Sequence, residues 1–309
     1  MQKFKQKLLI ITGPTGIGKS SIAVDLAIKL GGEIISCDSM QIYKGLDIGT
    51  GKIMKNEMRG VPHHMLDIVD LDKEYSVGRF KKDAARVIED IANRGRLPII
   101  VGGTGLYIQA LLGGMELGGV VKDEAYREEL GKLGKEELYD MLNEVDSEAA
   151  DKISINDTKR VIRALEIFKL TGRKKSEIER EDKKKSENDM ACEYDYLCIV
   201  LEKDREGLYA RIEKRVDGMV SGGLVAEARG LYDRFLGARD CQFMAAIGYK
   251  ELFEYFDGAM DLDKAIQMIK QNSRRYAKRQ ITFFKHMKIN KVFVDVNEDV
   301  CGLVASLMK

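Results

Sequence analysis

Residues Gly13-Pro14-Thr15-Gly16-Ile17-Gly18-Lys19-Ser20 fit the pattern G-x-x-x-x-G-K-[ST]. This loop constrains the fold more than any other feature, because it works only between a buried strand and a helix. Both flanks are present. Residues 7–12 (KLLIIT) are a short apolar run, and residues 20–30 place apolar side chains at 22, 23, 26, 27 and 30, which is helical spacing. Gly31 and Gly32 stop that helix, and residues 33–37 (EIISC) read as a second strand. Strand, helix, strand in about thirty residues makes a parallel βαβ unit. A helix follows at about 76–94, then a strand at 97–101, then Gly102-Gly103-Thr104 leading into another helix. The expected fold class is α/β: a P-loop NTPase-like parallel sheet with helices on both faces.

The loop's chemistry follows from its composition. Its glycines let successive backbone N–H groups turn inward toward phosphate oxygens. The helix N-terminus adds partial positive charge. Lys19 supplies a formal charge, and the Ser20 hydroxyl can ligate Mg²⁺. This specifies phosphate or pyrophosphate, and leaves open whether the ligand is a nucleotide such as ATP. A neighbouring strand would ordinarily end in a metal-binding aspartate. Residues 97–101 run instead into Gly102-Gly103-Thr104, so Asp38, after residues 33–37, is the carboxylate at the strand ends near the loop. That edge of an open α/β sheet is where ligands sit.

The pattern changes near residue 117. From there to 191 the sequence is helical and charge-rich, without a convincing strand. The expected organisation is a P-loop core formed by 1–116 and 192–309, interrupted by a helical insertion domain at 117–191 whose end, 176–190, is mobile and solvated. The sheet resumes at 194–201. Helices are expected at about 204–220, 223–235, 248–257 and 261–285, with a last strand at 291–296.

Charge and cysteine usage narrow the function. Lys and Arg number 51 against 50 Asp and Glu, which excludes a wholly basic nucleic-acid binder. Yet residues 159–175 carry seven basic residues against one acidic, and residues 264–288 carry eight against none. These are either a polyanion-binding surface or two solvated helix faces. No apolar run approaches the ~18 residues of a membrane span, and the N-terminus lacks a signal-peptide pattern. Five scattered cysteines without a C-x-x-C pair suggest thiols in a reducing, cytoplasmic setting. His63-His64 lacks a nearby third ligand and Cys37 lies in an apolar strand, so both read as structural.

Several blocks together resemble the tRNA dimethylallyltransferase (isopentenyl-tRNA transferase) family. They are GPTGIGKS, IISCDSMQIYKGLDIGTGK at 34–52, GVPHHMLDIVD at 60–70 and LPIIVGGTGLYIQALL at 97–112. Later come INDTKRVIRALEIF at 155–168, AIGYKEL at 246–252 and RRYAKRQITFFK at 274–285. The resemblance implies transfer of a dimethylallyl group from dimethylallyl diphosphate to N6 of an adenosine beside the tRNA anticodon. The partners it implies are a tRNA anticodon stem-loop and that diphosphate, with no membrane and a monomeric chain. The P-loop would then hold a leaving diphosphate, with Mg²⁺ as cofactor. Asp38 would act as base, Lys19 would stabilise the diphosphate, and Thr15 and Thr104 would bond the diphosphate or steer the allyl group.

The same resemblance assigns tRNA contacts to Asp38, Ser39, Met40 and Gln41, to Thr104 and to Arg127. It adds Lys159, Arg160, Val161, Ile162 and Arg163, then Ala245, Ala246, Ile247, Gly248, Tyr249 and Lys250. The last block is Lys278, Arg279, Gln280, Ile281, Thr282, Phe283, Phe284 and Lys285. Two of these blocks fall inside the basic windows. A small-molecule phosphotransferase is the competing expectation, and a nucleotide-gated RNA-binding module the third. The first leaves the N-D-x-x-R-x-x-R segment without a role, and the second leaves Asp38 without one.

Overall fold

The computed structural model describes residues 5–113, 123–187, 192–236 and 241–308. The chain falls into two compact units, Met1–Leu111 with Glu193–Lys309, and Leu112–Cys192. The sequence break near 117 lies outside the described residues, as do residues 188–190 of the charged run.

The first unit is built on a parallel sheet. Its strands are β1 (Gln6–Thr12), β2 (Gly32–Ser36), β3 (His63–His64), β4 (Leu97–Gly102), β5 (Tyr194–Glu202) and β6 (Val292–Asp295), in the order β3-β2-β4-β1-β5-β6. β1 lies inside the sheet, with Leu9 opposite Ile99 of β4 and Ile10 opposite Cys198 of β5. Its residues Leu8 to Ile11 are all fully buried, so helices must cover both faces, and the expected α/β class holds. β3 was not among the expected strands. Two residues pairing with Ile34 and Ile35 carry no alternation to read.

Helix α1 (Lys19–Leu30) begins where the P-loop ends. Its N-cap, Gly18, has φ 99°, the left-handed conformation that turns the loop over the helix terminus. Ala23, Val24, Leu26 and Ala27 bury its inner face. Helix α2 (Val77–Asn93) starts at Ser76, whose hydroxyl accepts from the Arg79 amide, and buries Phe80, Ala84, Ile88 and Ile91 at helical spacing. Helix α3 (Gly105–Leu111) follows β4 directly.

The second unit is helical: α4 (Glu124–Leu130), α5 (Lys135–Val145), α6 (Ser147–Lys152), α7 (Thr158–Thr171) and α8 (Lys175–Glu187). Leu130, Leu138, Leu142, Val161 and Leu165 form much of its core. The charged run, expected to be mobile, is a helix through Glu187. Its start is fixed because the buried Asp146 caps α6 and also accepts from the Ser176 amide at 2.9 Å.

The chain returns to the first unit with α9 (Arg205–Ser221), α10 (Leu224–Arg234), α11 (Tyr249–Phe256), α12 (Leu262–His286) and α13 (Val300–Leu307). Helix α12 has 25 residues, a rod of about 37 Å, and is capped by Asp261 accepting from the Lys264 amide at 2.7 Å. Ala277, Gln280 and Phe284 face inward, while Lys278, Arg279 and Lys285 are exposed.

Candidate functional site

Two cavities meet at the C-terminal edge of the sheet. One, of about 490 Å³, is the phosphate side: Gly16, Gly18, Lys19 and Ser20 line it with Ser36, Gln41 and the basic Arg211 and Lys214. The other, of about 280 Å³, is largely apolar, lined by Met40, Ile212, Val216, Met219, Leu224 and Ile269 among others. Thr15, Asp38, Thr50, Arg215 and Tyr276 line both. A polar anion cradle and an apolar chamber thus share a wall that carries one carboxylate and one guanidinium.

Each wall residue is placed by its element. Asp38 follows the end of β2, and its Oδ1 accepts from the amides of Met40 at 2.9 Å and Gln41 at 3.3 Å, which closes the turn. Arg215 comes from α9. Its Nη1 donates to Thr15 Oγ1 at 2.8 Å and its Nη2 to the Thr50 carbonyl at 3.0 Å. Burial pushes its pKa down, and the charge of Asp38 draws it back up. Lys19 Nζ donates to the carbonyls of Gly13 and Pro14 at 3.0 and 2.9 Å. Burial, then the charge of Arg215, lowers its pKa to about 8. Tyr276, on α12, is pushed up to about 12, chiefly by burial and next by Asp38.

The loop across from Asp38 is held by Glu227 of α10. Its carboxylate accepts from the amides of Asp47, Ile48 and Gly49 at 3.1, 2.9 and 3.0 Å, and from the Tyr249 hydroxyl at 2.6 Å. That fixes the Thr50 carbonyl that receives Arg215.

The sequence-derived site residues divide accordingly. Asp38, Ser39, Met40, Ala245, Ala246, Ile247, Gly248 and Arg279 gather around the apolar cavity, and Gln41 lines the phosphate side. Lys250, Lys278, Thr282 and Lys285 are exposed. Thr104 stands one step back from where it was expected. Its Oγ1 accepts from the Ser39 amide at 3.1 Å and its own amide donates to the Cys37 carbonyl, so it shapes the Asp38 turn.

Other members of the assigned blocks direct their side chains into the protein. Ile17 lies in the core beside α1, and Val161 in that of the second unit. Ile162 and Ile281 pack against those cores. Tyr249 and Phe284 are fully buried, and Phe283 meets Phe284 edge-on at 6.1 Å between ring centroids. A helix turns 100° per residue, so eight consecutive positions cannot all face one ligand.

In the second unit, Arg127 and Arg163 are drawn to one carboxylate. Glu166, with no exposed side chain, accepts from Arg127 Nε at 2.7 Å and Nη2 at 2.8 Å, from Arg163 Nη1, and from the Asp123 amide at 2.9 Å. Burial opposes its charge, but these donors hold its pKa at about 2. The two arginines are therefore engaged internally, whereas Lys159 and Arg160 remain exposed.

Sequence reasoning missed Arg215, Tyr276 and Glu227. Arg215 had one readable signal: it shares a helical face with Ile212 and Met219, an uncommon place for a cation without a buried task.

Comparison with known proteins agrees with this geometry. The family model described as IPP transferase matches residues 41–287. The tRNA dimethylallyltransferase of Geobacillus thermodenitrificans is 51% identical over 285 residues, covering 91% of this chain and 88% of that protein. The solved structure of a tRNA isopentenylpyrophosphate transferase from Bacillus halodurans superposes with a TM-score of 0.72 at 46% identity, over 98% of this chain and 94% of that one. A eukaryotic dimethylallyltransferase acting on tRNA gives a TM-score of 0.82 at 31% identity, over 98% of this chain and 78% of that one. Matches of this extent run through the P-loop side, the apolar chamber and the long basic helix alike, and on them the chain belongs to the IPP transferase family.

Proposed function

We propose that this chain transfers a dimethylallyl group from dimethylallyl diphosphate to N6 of an adenosine adjacent to the tRNA anticodon, releasing diphosphate. The observation that carries the reading is the shared wall. A diphosphate in the P-loop cavity puts its allylic carbon at the boundary where Asp38, Thr15, Arg215 and Tyr276 line both cavities. The relatives that match most of the chain are named for dimethylallyl transfer to tRNA.

An exocyclic adenine nitrogen is a weak nucleophile because its lone pair is delocalised into the ring. Asp38 takes the N6 proton as the N–C bond forms and the allylic C–O bond breaks, a contribution of typically 10²–10⁴-fold. The bonding pair leaves with the diphosphate. Lys19, Arg215 and the P-loop amides stabilise the charge that builds on it. The donor set suits Mg²⁺: the Ser20 hydroxyl lines the phosphate cavity at the end of the loop that takes the diphosphate. Ser20 would hold such an ion, which would supply charge neutralisation to the leaving diphosphate.

A loop adenosine must leave its stack to enter the apolar chamber. Lys278, Arg279 and Lys285 in the first unit, and Lys159 and Arg160 in the second, are the exposed cations for the RNA backbone. The reading takes the chain as a cytoplasmic monomer. Among the described residues no helix is long and apolar enough to cross a membrane.

The test is incubation with unmodified tRNA and radiolabelled dimethylallyl diphosphate, and separately with labelled ATP and small acceptors. Label on an adenosine of the tRNA supports the reading. Phosphoryl transfer from ATP without prenyl transfer overturns it.

A further inference from the structure

Gln280 belongs by sequence to the run 278–285 assigned to tRNA. In the fold it is 6% exposed and points away from the basic face of α12. Its Oε1 accepts from the Thr15 amide at 2.8 Å, and its Nε2 donates to the Gly103 carbonyl at 2.9 Å. An N–H needs an acceptor and a carbonyl needs a donor, so the carboxamide has one orientation that satisfies both. We propose that Gln280 is a positioning residue for the prenyl donor: it ties the P-loop to the turn after β4 and does not touch RNA. The inference rests on the reading that the P-loop holds the donor's diphosphate.

Three further observations support it. Thr15 is held from two sides, by Gln280 through its amide and by Arg215 through its hydroxyl, so α12 and α9 together set the loop residue that lines both cavities. Position 103 has no room for a side chain, since a Cβ there would stand 2.3 Å from Gln280 Nε2. The glycine is what lets the carboxamide reach the backbone. The same face of α12 also grips the next two residues of the turn. Tyr276, one helical turn before Gln280, interacts with Thr104, and the Phe283 ring lies 2.3 Å from where a Gly105 Cβ would be. Thr104 in turn holds the Ser39 amide beside Asp38.

Helix α12 therefore performs two tasks on two faces. Lys278, Arg279 and Lys285 are presented to solvent, while Tyr276 and Gln280, at i and i+4, set the backbone around the diphosphate and the base. A donor site needs its amides fixed before the ligand arrives, and a misplacement of about 1 Å can cost ~10²-fold in rate.

The test compares Gln280→Met, which keeps length but loses both hydrogen bonds, with Gln280→Glu. The glutamate retains an acceptor for Thr15, leaves Gly103 without its donor and adds negative charge beside the diphosphate. The readouts are KM for dimethylallyl diphosphate, kcat, and tRNA Kd as a function of salt. The expected result is a donor KM raised about tenfold or more with lowered kcat, worse for the glutamate, while tRNA Kd stays within about twofold and its salt slope is unchanged. Weakened tRNA binding at normal donor KM, or no change in either, overturns the proposal. Lys19→Ala, run in parallel, separates it from the reading beneath it. If Lys19→Ala leaves donor KM unchanged, the diphosphate assignment fails. If Lys19→Ala raises donor KM and Gln280→Met does not, only the role of Gln280 fails. Should Gln280→Met not fold, Gly103→Ala displaces the carboxamide by steric contact and should give the same donor-specific defect. That defect should add little to Gln280→Ala, because the two act on one contact. Full additivity would overturn the proposal.

Discussion

Lys19 offers the sharpest test, because its charge can be titrated. Its pKa falls from the usual 10.5 to about 8, through burial first and the charge of Arg215 second, with Asp38 and Cys37 acting in the opposite sense. Only the protonated amine pairs with a diphosphate. With a pKa of about 8, roughly 90% of Lys19 is charged at pH 7 and roughly 10% at pH 9. Donor affinity in the absence of tRNA should therefore fall about eight- to tenfold between those pH values, with its midpoint near 8. In Lys19→Met affinity should be low at pH 7 and flat across the range. Calorimetric titration with dimethylallyl diphosphate reads this directly.

Stability supplies an independent check with a definite sign. The unfolded lysine keeps its proton to about 10.5 and the folded one releases it near 8, so between those values the unfolded chain binds more protons. Wild-type stability should rise with pH across that window relative to Lys19→Met. The full drop is worth about 3 kcal/mol, and screening through the open cavity reduces it to roughly 1–2 kcal/mol. Wild-type donor affinity that stays flat from pH 7 to 9.5, or an equal pH limb in Lys19→Met, would refute the assignment of Lys19 to the diphosphate.

Asp38→Asn should lower kcat by about two orders of magnitude while tRNA and donor affinities change little; near-normal kcat in stopped assays would remove Asp38 as the base. Glu166→Gln should destabilise the protein by about 2–3 kcal/mol in chemical denaturation, since the partly exposed Arg127 and Arg163 then face a neutral amide in place of a carboxylate. The folded pKa of Glu166 is depressed to about 2, so its contribution is present above the unfolded value near 4.5 and is lost as pH falls toward 2. Wild type and Glu166→Gln should thus converge in stability at acid pH. Neutralising Lys278 and Arg279 should weaken tRNA binding and flatten the plot of log Kd against log salt by about one unit per lost contact. The same number of neutralisations in the run 176–189 should do much less, and equal effects would mean diffuse attraction without a defined RNA surface.

The parts of the site that were legible in the sequence are the local ones. Gly13 to Ser20 form a loop whose work is done within eight residues, so pattern and structure coincide. Asp38 was legible because strand β2 ends just before it. Arg215, by contrast, meets Thr15 across 200 positions, and Glu227 meets the loop at 47–49 across about 180. No local period encodes such meetings. The blocks assigned to tRNA were legible as blocks but not as surfaces, because a linear run is blind to helical rotation. Arg279 and Gln280 are neighbours in the chain, yet one is exposed and the other is 6% exposed against the P-loop. A block of this kind carries two constraints at once, cations spaced for phosphates and a carboxamide spaced for a loop. Adjacent substitutions should therefore separate in different parameters: Arg279→Gln in tRNA Kd and its salt slope, Gln280→Met in donor KM. If both moved the same parameter, the helix would have a single working face, and the division of labour derived from its inward and outward residues would be wrong.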